Sequence, residues 1–306
     1  MTRQSFFLFI FLSFFLSISA FTDDLTKTYQ QVWEDIDSHF TEATVQRLRG
    51  YTILFIPGFL SNAVIDMGEK IRLGEYFDEQ MTWLASLGIE TERVDIESEG
   101  SPQENAIRIV RSIHASQKPV LILAHSKGGL DTLEALLTHK EILEKVRGFL
   151  PIQSPFFGSP LADWVSEDRV LNVVSKNLLE ALGGTKASLE SLQTGFRHDY
   201  FLLHESAIYE ILEVIPTISI STWKKNEEWE WDSVLEWLRN IMESRGILSD
   251  GAVPKESAIY PHTDFITLEG VDHVMTVMHC SISEFDRVRF TKTLLVLLLQ
   301  RNEEFK

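Results

Sequence analysis

The chain has 306 residues and a formal charge of −17, from 45 acidic and 28 basic side chains. Negative charge spread along the whole chain repels phosphate backbones and anionic lipid head groups, which argues against nucleic acid as a partner. A hydrophobic content of 44% supports a substantial core, and one cysteine, Cys280, excludes an intramolecular disulfide.

The N-terminus reads as an export signal over residues 1–19. Arg3 gives the positive start, Phe6 to Leu16 form a phenylalanine-rich apolar run, and Ser17-Ile18-Ser19-Ala20 offers small residues for cleavage. That run is shorter than the about 20 apolar residues of a membrane span. The expected mature chain, residues 20–306, is therefore secreted or periplasmic. Next, Leu25, Tyr29, Val32, Trp33, Ile36 and Phe40 recur at helical spacing and predict one leading helix. Strands are predicted at residues 51–56, 89–96, 120–124, 146–153, 214–222 and 264–268, with helices at 75–87 and 102–114 between them. Strands alternating with helices imply an α/β fold: a mostly parallel sheet of about six strands, covered on both faces. Two segments interrupt the alternation. Residues 156–213 are mostly helical in pattern, with a Gly183-Gly184 break. Residues 223–248 hold four of the seven tryptophans: Trp223, Trp229, Trp231 and Trp237. They read either as an amphipathic helix packing its rings inward or as an aromatic wall for an apolar substrate.

The apolar run Val120-Leu121-Ile122-Leu123-Ala124 is followed by His125-Ser126-Lys127-Gly128-Gly129 and then by a helix-forming run to Leu137. This strand, sharp turn and helix resemble the nucleophile elbow of the α/β-hydrolases, in which a strained turn lifts a serine hydroxyl above the sheet. A hydroxyl needs a base before it becomes a nucleophile. The resemblance implies the chain order serine, acid, histidine, with the histidine just past the last strand. Gly270-Val271-Asp272-His273 meets that order, so His273 is the expected base, with His279 the alternative and His262 on the wrong side of the strand. His125 reads as a packing residue. Asp250, in the turn Ser249-Asp250-Gly251-Ala252-Val253-Pro254, is the expected acid, with Asp264 and Asp232 as weaker alternatives. An oxyanion would be held by the Lys127 N–H and by the Phe59 N–H after Pro57-Gly58, a pair that also reads as a plain strand-ending turn.

Three motifs extend the resemblance to serine lipases and esterases, in particular to bacterial secreted triacylglycerol lipases. These are Asp250-Gly251-Ala252-Val253-Pro254, Gly270-Val271-Asp272-His273, and Ser154-Pro155 followed by Gly158-Ser159-Pro160-Leu161-Ala162-Asp163. Ala124 stands where the commoner pattern has glycine, and Pro57 where many lipases have histidine. The resemblance implies that residues 156–213 form a cap or lid. It also implies hydrolysis of apolar acyl or lipid esters through an acyl-enzyme on Ser126, with transient contact at a lipid interface. The chemistry needs no cofactor, and no metal-ligand set is legible. An acyltransferase, thioesterase or polyester depolymerase would use the same residues, and a non-catalytic binding protein would use only the fold.

Overall fold

The computed structural model describes residues 22–58, 74–97, 100–166, 186–225, 235–281 and 284–304. The export signal at 1–19, Phe59, Trp229, Trp231 and Asp232 lie outside the described residues. Six strands form one sheet: β1 (Thr52–Ile56), β2 (Glu90–Arg93), β3 (Val120–His125), β4 (Val146–Ile152), β5 (Ile218–Trp223) and β6 (Asp264–Glu269). Their spatial order is β2-β1-β3-β4-β5-β6, and every pairing is parallel. The first strand thus lies inside the sheet, next to the strand that leads to Ser126.

Side chains alternate across each strand, so the two faces carry different cores. Ile53, Phe55, Leu121, Leu123, Leu150 and Ile152 face one side, where they meet Tyr29, Val32, Phe290, Leu294 and Leu298. Leu54, Ile56, Val120, Ile122, Ala124 and Val146 face the other, against Ala106, Ile109, Val110, Ile113, Ala135 and Leu136. The helices follow from the same logic. Those of the first face are α1 (Thr26–Glu34), α2 (Ile36–His39), α3 (Glu42–Leu48) and α4 (Asp78–Ser86). The second face is covered by α5 (Pro102–Ala115) and α6 (Lys127–Thr138). In α5 the buried residues 106, 109, 110 and 113 recur at helical spacing. Its start is fixed by Pro102 in the first turn and by a capping box between Ser101 and Glu104.

The predicted leading helix is two helices. Asp35 leaves the helical region at φ −115° and ψ 42°, and its carboxylate accepts the Ser38 hydroxyl at 2.8 Å. Likewise β5 starts at Ile218 rather than 214. Pro216 has no N–H for the ladder, and residues before it finish the preceding helix. Between β4 and β5 the described residues form α7 (Pro160–Ser166), α8 (Lys186–Glu190) and α9 (Thr194–Leu212). The tryptophan-rich segment contributes α10 (Glu236–Glu243), whose Leu238 and Met242 pack with Leu161, Val274 and Cys280. Trp237 is partly buried against that cluster, which supports the packing reading for this ring. The final helix, α11 (Arg287–Glu304), closes the first face against β4, α1 and α4.

Leu298 in α11 is fully buried in the larger core. Leu298→Ala is expected to lower unfolding stability by about 2–5 kcal/mol. The midpoint of urea denaturation checks this, and a loss below half of that range would mean that the helix is not the keystone of its face.

Candidate active site

Ser126 links β3 to α6 with φ 53° and ψ −129°, a backbone region sparsely used by residues with a side chain. Close packing maintains it. A Cβ on Gly128 would lie 2.4 Å from the Pro57 carbonyl oxygen, and one on Gly58 would lie 2.7 Å from Ser126 Cβ. Neither position tolerates a side chain, so the ends of β1 and β3 press directly on one another. The turn is also tied to β4, because Ser126 N–H donates to the Ile152 carbonyl at 2.8 Å.

Three of the residues singled out in the sequence meet here. Ser126 Oγ is 3.0 Å from His273 Nε2, and His273 Nδ1 is 2.8 Å from Asp250 Oδ2. All three side chains are buried. The other Asp250 oxygen accepts the N–H groups of Ala252 at 2.9 Å and Val253 at 2.7 Å, so the carboxyl group cannot rotate freely. The His273 N–H donates to the Asp250 carbonyl at 2.9 Å. The segment from 225 to 248 does not separate Asp250 from the sheet. Lys224 N–H donates to the Ser249 carbonyl at 3.1 Å, which closes the base of that insertion beside the end of β5.

Lys127 is the first residue of α6, where a helix leaves its N–H groups without internal acceptors. Its side chain is buried and bonded to both Asp131 oxygens, at 2.8 and 3.0 Å. Asn105 donates to the same carboxylate at 2.8 Å. Burial nevertheless pushes the Asp131 carboxyl up to about 6, against the pull of Lys127. The alternative residues stand elsewhere. The ring of His279 is exposed beside Glu79 and Arg287, His262 bonds Tyr209, and Asp264 pairs with Arg301 at 2.7 Å. The Ser154–Asp163 motif braces the acid loop. Ser159 Oγ donates to the Ala252 carbonyl and Ser257 Oγ to the Gly158 carbonyl, while Asp163 accepts both the N–H and the hydroxyl of Thr194.

Residues without a sequence motif hold the loop around His273. Gln153, with φ 53°, donates to Thr222 Oγ1 and to the Asp272 carbonyl, and accepts from Thr276. His125 is more than packing: its Nε2 lies 2.8 Å from the His273 carbonyl and 3.1 Å from Gln153 Oε1. Burial, and then the neighbouring His273, hold its pKa well below the usual imidazole range, so His125 is neutral. Arg239 of α10 reaches Asp272 at 3.3 Å, with both side chains almost completely buried. The only signal in the sequence was the position of His125 and Asp272, each adjoining an expected catalytic residue. Among the described residues no group of His, Cys, Asp and Glu converges to hold a metal ion.

No protein-family model and no curated protein sequence matches the chain. Solved structures do. A metagenomic carboxyl esterase superposes with a TM-score of 0.65 at 19% identity, over 82% of this chain and 76% of its own. The mature form of a Bacillus licheniformis lipase gives 0.59 at 20% identity, over 82% and 91%. The Staphylococcus hyicus lipase gives 0.52 at 14% identity, over 83% and 96%. The chain has the α/β-hydrolase fold. Within that fold it resembles bacterial lipases and carboxylesterases. The α/β-hydrolase core here carries a buried ion pair beside His273, and removing one partner of such a pair leaves a charge without water. Arg239→Met is expected to cost about 3–5 kcal/mol of stability. In a double-mutant cycle with Asp272→Asn, urea denaturation should give a coupling of about 0.5–3 kcal/mol. Strictly additive losses would mean that the two groups do not act as a pair.

Proposed function

We propose that the protein is a serine ester hydrolase acting on apolar acyl esters. The observation that carries this reading is the unbroken chain of contacts from Ser126 Oγ to His273 Nε2 and from His273 Nδ1 to Asp250 Oδ2. In that geometry His273 takes the Ser126 proton as the hydroxyl attacks the ester carbonyl, and later delivers it to the leaving alcohol. Asp250 keeps the Nδ1 proton in place and stabilises the imidazolium that forms. The Lys127 N–H, at the start of α6, stabilises the negative charge on the former carbonyl oxygen, with the Phe59 N–H as its proposed partner. Water then attacks the acyl-enzyme by the same route in reverse. No cofactor enters this sequence.

The substrate class is inferred from the surroundings. Exposed apolar side chains on α9, including Phe196, Leu202 and Leu203, offer contact to a lipid interface. The segment containing α7, α8 and α9 is proposed as the cap over the site. The structural neighbours are lipases and esterases, which supports an ester substrate, and the negative surface favours a neutral one. The apolar run at 6–16 and the small residues after it support export, to the periplasm or beyond.

Hydrolysis of nitrophenyl esters of increasing acyl length by the mature chain tests the reading. Turnover is expected in the wild type and should fall by about a million-fold in Ser126→Ala with the fold intact, as circular dichroism would report. Equal turnover in the two proteins would end the proposal.

A further inference from the structure

Two side chains next to the site, Tyr76 and His125, are arranged more exactingly than packing requires, and the role inferred for them rests on the ester-hydrolase reading. Tyr76 stands in the turn before α4, with its hydroxyl 3.3 Å from His125 Nδ1 and the two ring centroids 5.7 Å apart. The backbone of Gly58 donates to the Tyr76 oxygen. On the other side of the imidazole, Nε2 faces two oxygens, the His273 carbonyl at 2.8 Å and Gln153 Oε1 at 3.1 Å. The Gln153 amide cannot be turned round, because its nitrogen donates to the Asp272 carbonyl at 3.1 Å. The ring of His125 also lies against that of His273, with centroids 4.6 Å apart.

These contacts leave one assignment of protons. Both oxygens near Nε2 are acceptors, so Nε2 carries the hydrogen and Nδ1 holds the lone pair. Tyr76 must then donate to Nδ1, as it can because its own oxygen receives the Gly58 N–H. The opposite tautomer would aim the Nε2 lone pair at the His273 carbonyl at 2.8 Å, which is repulsive. We propose that Tyr76 and His125 are positioning residues for the reaction. Tyr76 holds the ring of His125 by donating to its Nδ1, and His125 in turn anchors the backbone of His273 so that its Nε2 meets Ser126. The same link ties the Gly58 turn to the histidine loop, although the two belong to opposite parts of the chain.

Tyr76→Phe removes the proton donated to Nδ1 and keeps the ring. His125→Phe removes the anchoring N–H, and His125→Gln restores a donor near the Nε2 position. On a soluble nitrophenyl ester, the two phenylalanine variants are expected to lose about 10- to 100-fold in kcat, the scale set by displacing a catalytic group by a fraction of an ångström to one ångström, with KM within about twofold. His125→Gln should recover most of the loss, which a general loss of packing would not allow. Nitrogen-proton correlation spectra of histidine-labelled protein read the ring directly: Nε2–H at His125 in the wild type and in Tyr76→Phe, with the Nδ1 resonance of the variant shifted by the loss of its hydrogen bond. An Nδ1–H tautomer in the wild type, or unchanged kcat in both phenylalanine variants, would overturn the proposal. So would a loss confined to KM. The ester-hydrolase reading fails differently, by absence of wild-type turnover together with no labelling of Ser126 by a fluorophosphonate. In that event the Nδ1 resonance still decides whether Tyr76 holds His125.

Discussion

Ser126 can hold a positive φ only because the parallel ladders bring three strand ends to the same level. Ile56 of β1 pairs with Ala124 of β3, and His125 pairs with Ile152 of β4. One residue beyond those pairs, the chain must turn from sheet to helix. The turn has nowhere to go except against Pro57 and Gly58. That close approach is why a Cβ fits at neither Gly58 nor Gly128. It also stores the strain that lifts the serine hydroxyl out of the sheet toward His273. The cost of such a backbone, on the order of 1–3 kcal/mol, is sustainable only where the surroundings over-determine it. Here a six-stranded sheet with a core on each face provides that constraint.

The segment that carries His273 has no comparable ladder. After β6 the chain runs through turns from Gly270 to Cys280, so its rigidity has to come from side chains. Gln153, His125 and Arg239 reach it from the end of β4, from β3 and from α10, and each is buried and bonded to a backbone or carboxylate oxygen of that segment. In a low-dielectric interior such bonds are strong when complete and costly when broken. A loop held in this way is fixed by residues scattered over the chain instead of by a ladder.

That contrast explains what could be read from the sequence. The buried strands were legible because a parallel strand covered on both faces is an unbroken apolar run, as in Ile53–Ile56 and Val120–Ala124. The elbow, Asp250 and His273 were legible because each sits in a short local pattern whose chain order is fixed by the resemblance. The break at Asp35 and the late start of β5 were not, since helical spacing continues across a single non-helical residue and an apolar run does not reveal where a ladder begins. Tyr76, Gln153 and Arg239 were invisible for a different reason. Gln153 lies 119 residues from the carbonyl it holds, Tyr76 lies 49 from His125, and Arg239 lies 33 from Asp272. No local period or turn signal encodes such pairings. His125 was visible only as a neighbour of the serine, and its ring nitrogens acquire meaning once His273 is beside it.

Charge is arranged with the same economy. The chain is strongly acidic, and three carboxylates lie buried within a few residues of the expected catalytic groups: Asp131, Asp250 and Asp272. Two of them have cationic partners. Asp131 is bonded to Lys127 and Asp272 to Arg239, so each pair presents little net field to its surroundings. Asp250 alone has its carboxylate directed at His273. The proposed acyl transfer creates an imidazolium and an oxyanion together. An unpaired carboxylate on the oxyanion side would oppose the second while stabilising the first. Neutralising Asp131 within α6 removes that opposition at the Lys127 end, where the proposed oxyanion would form. Neutralising Asp272 leaves the field on the imidazolium to Asp250. The tryptophan-rich insertion thereby enters the electrostatics of the site through Arg239 of α10.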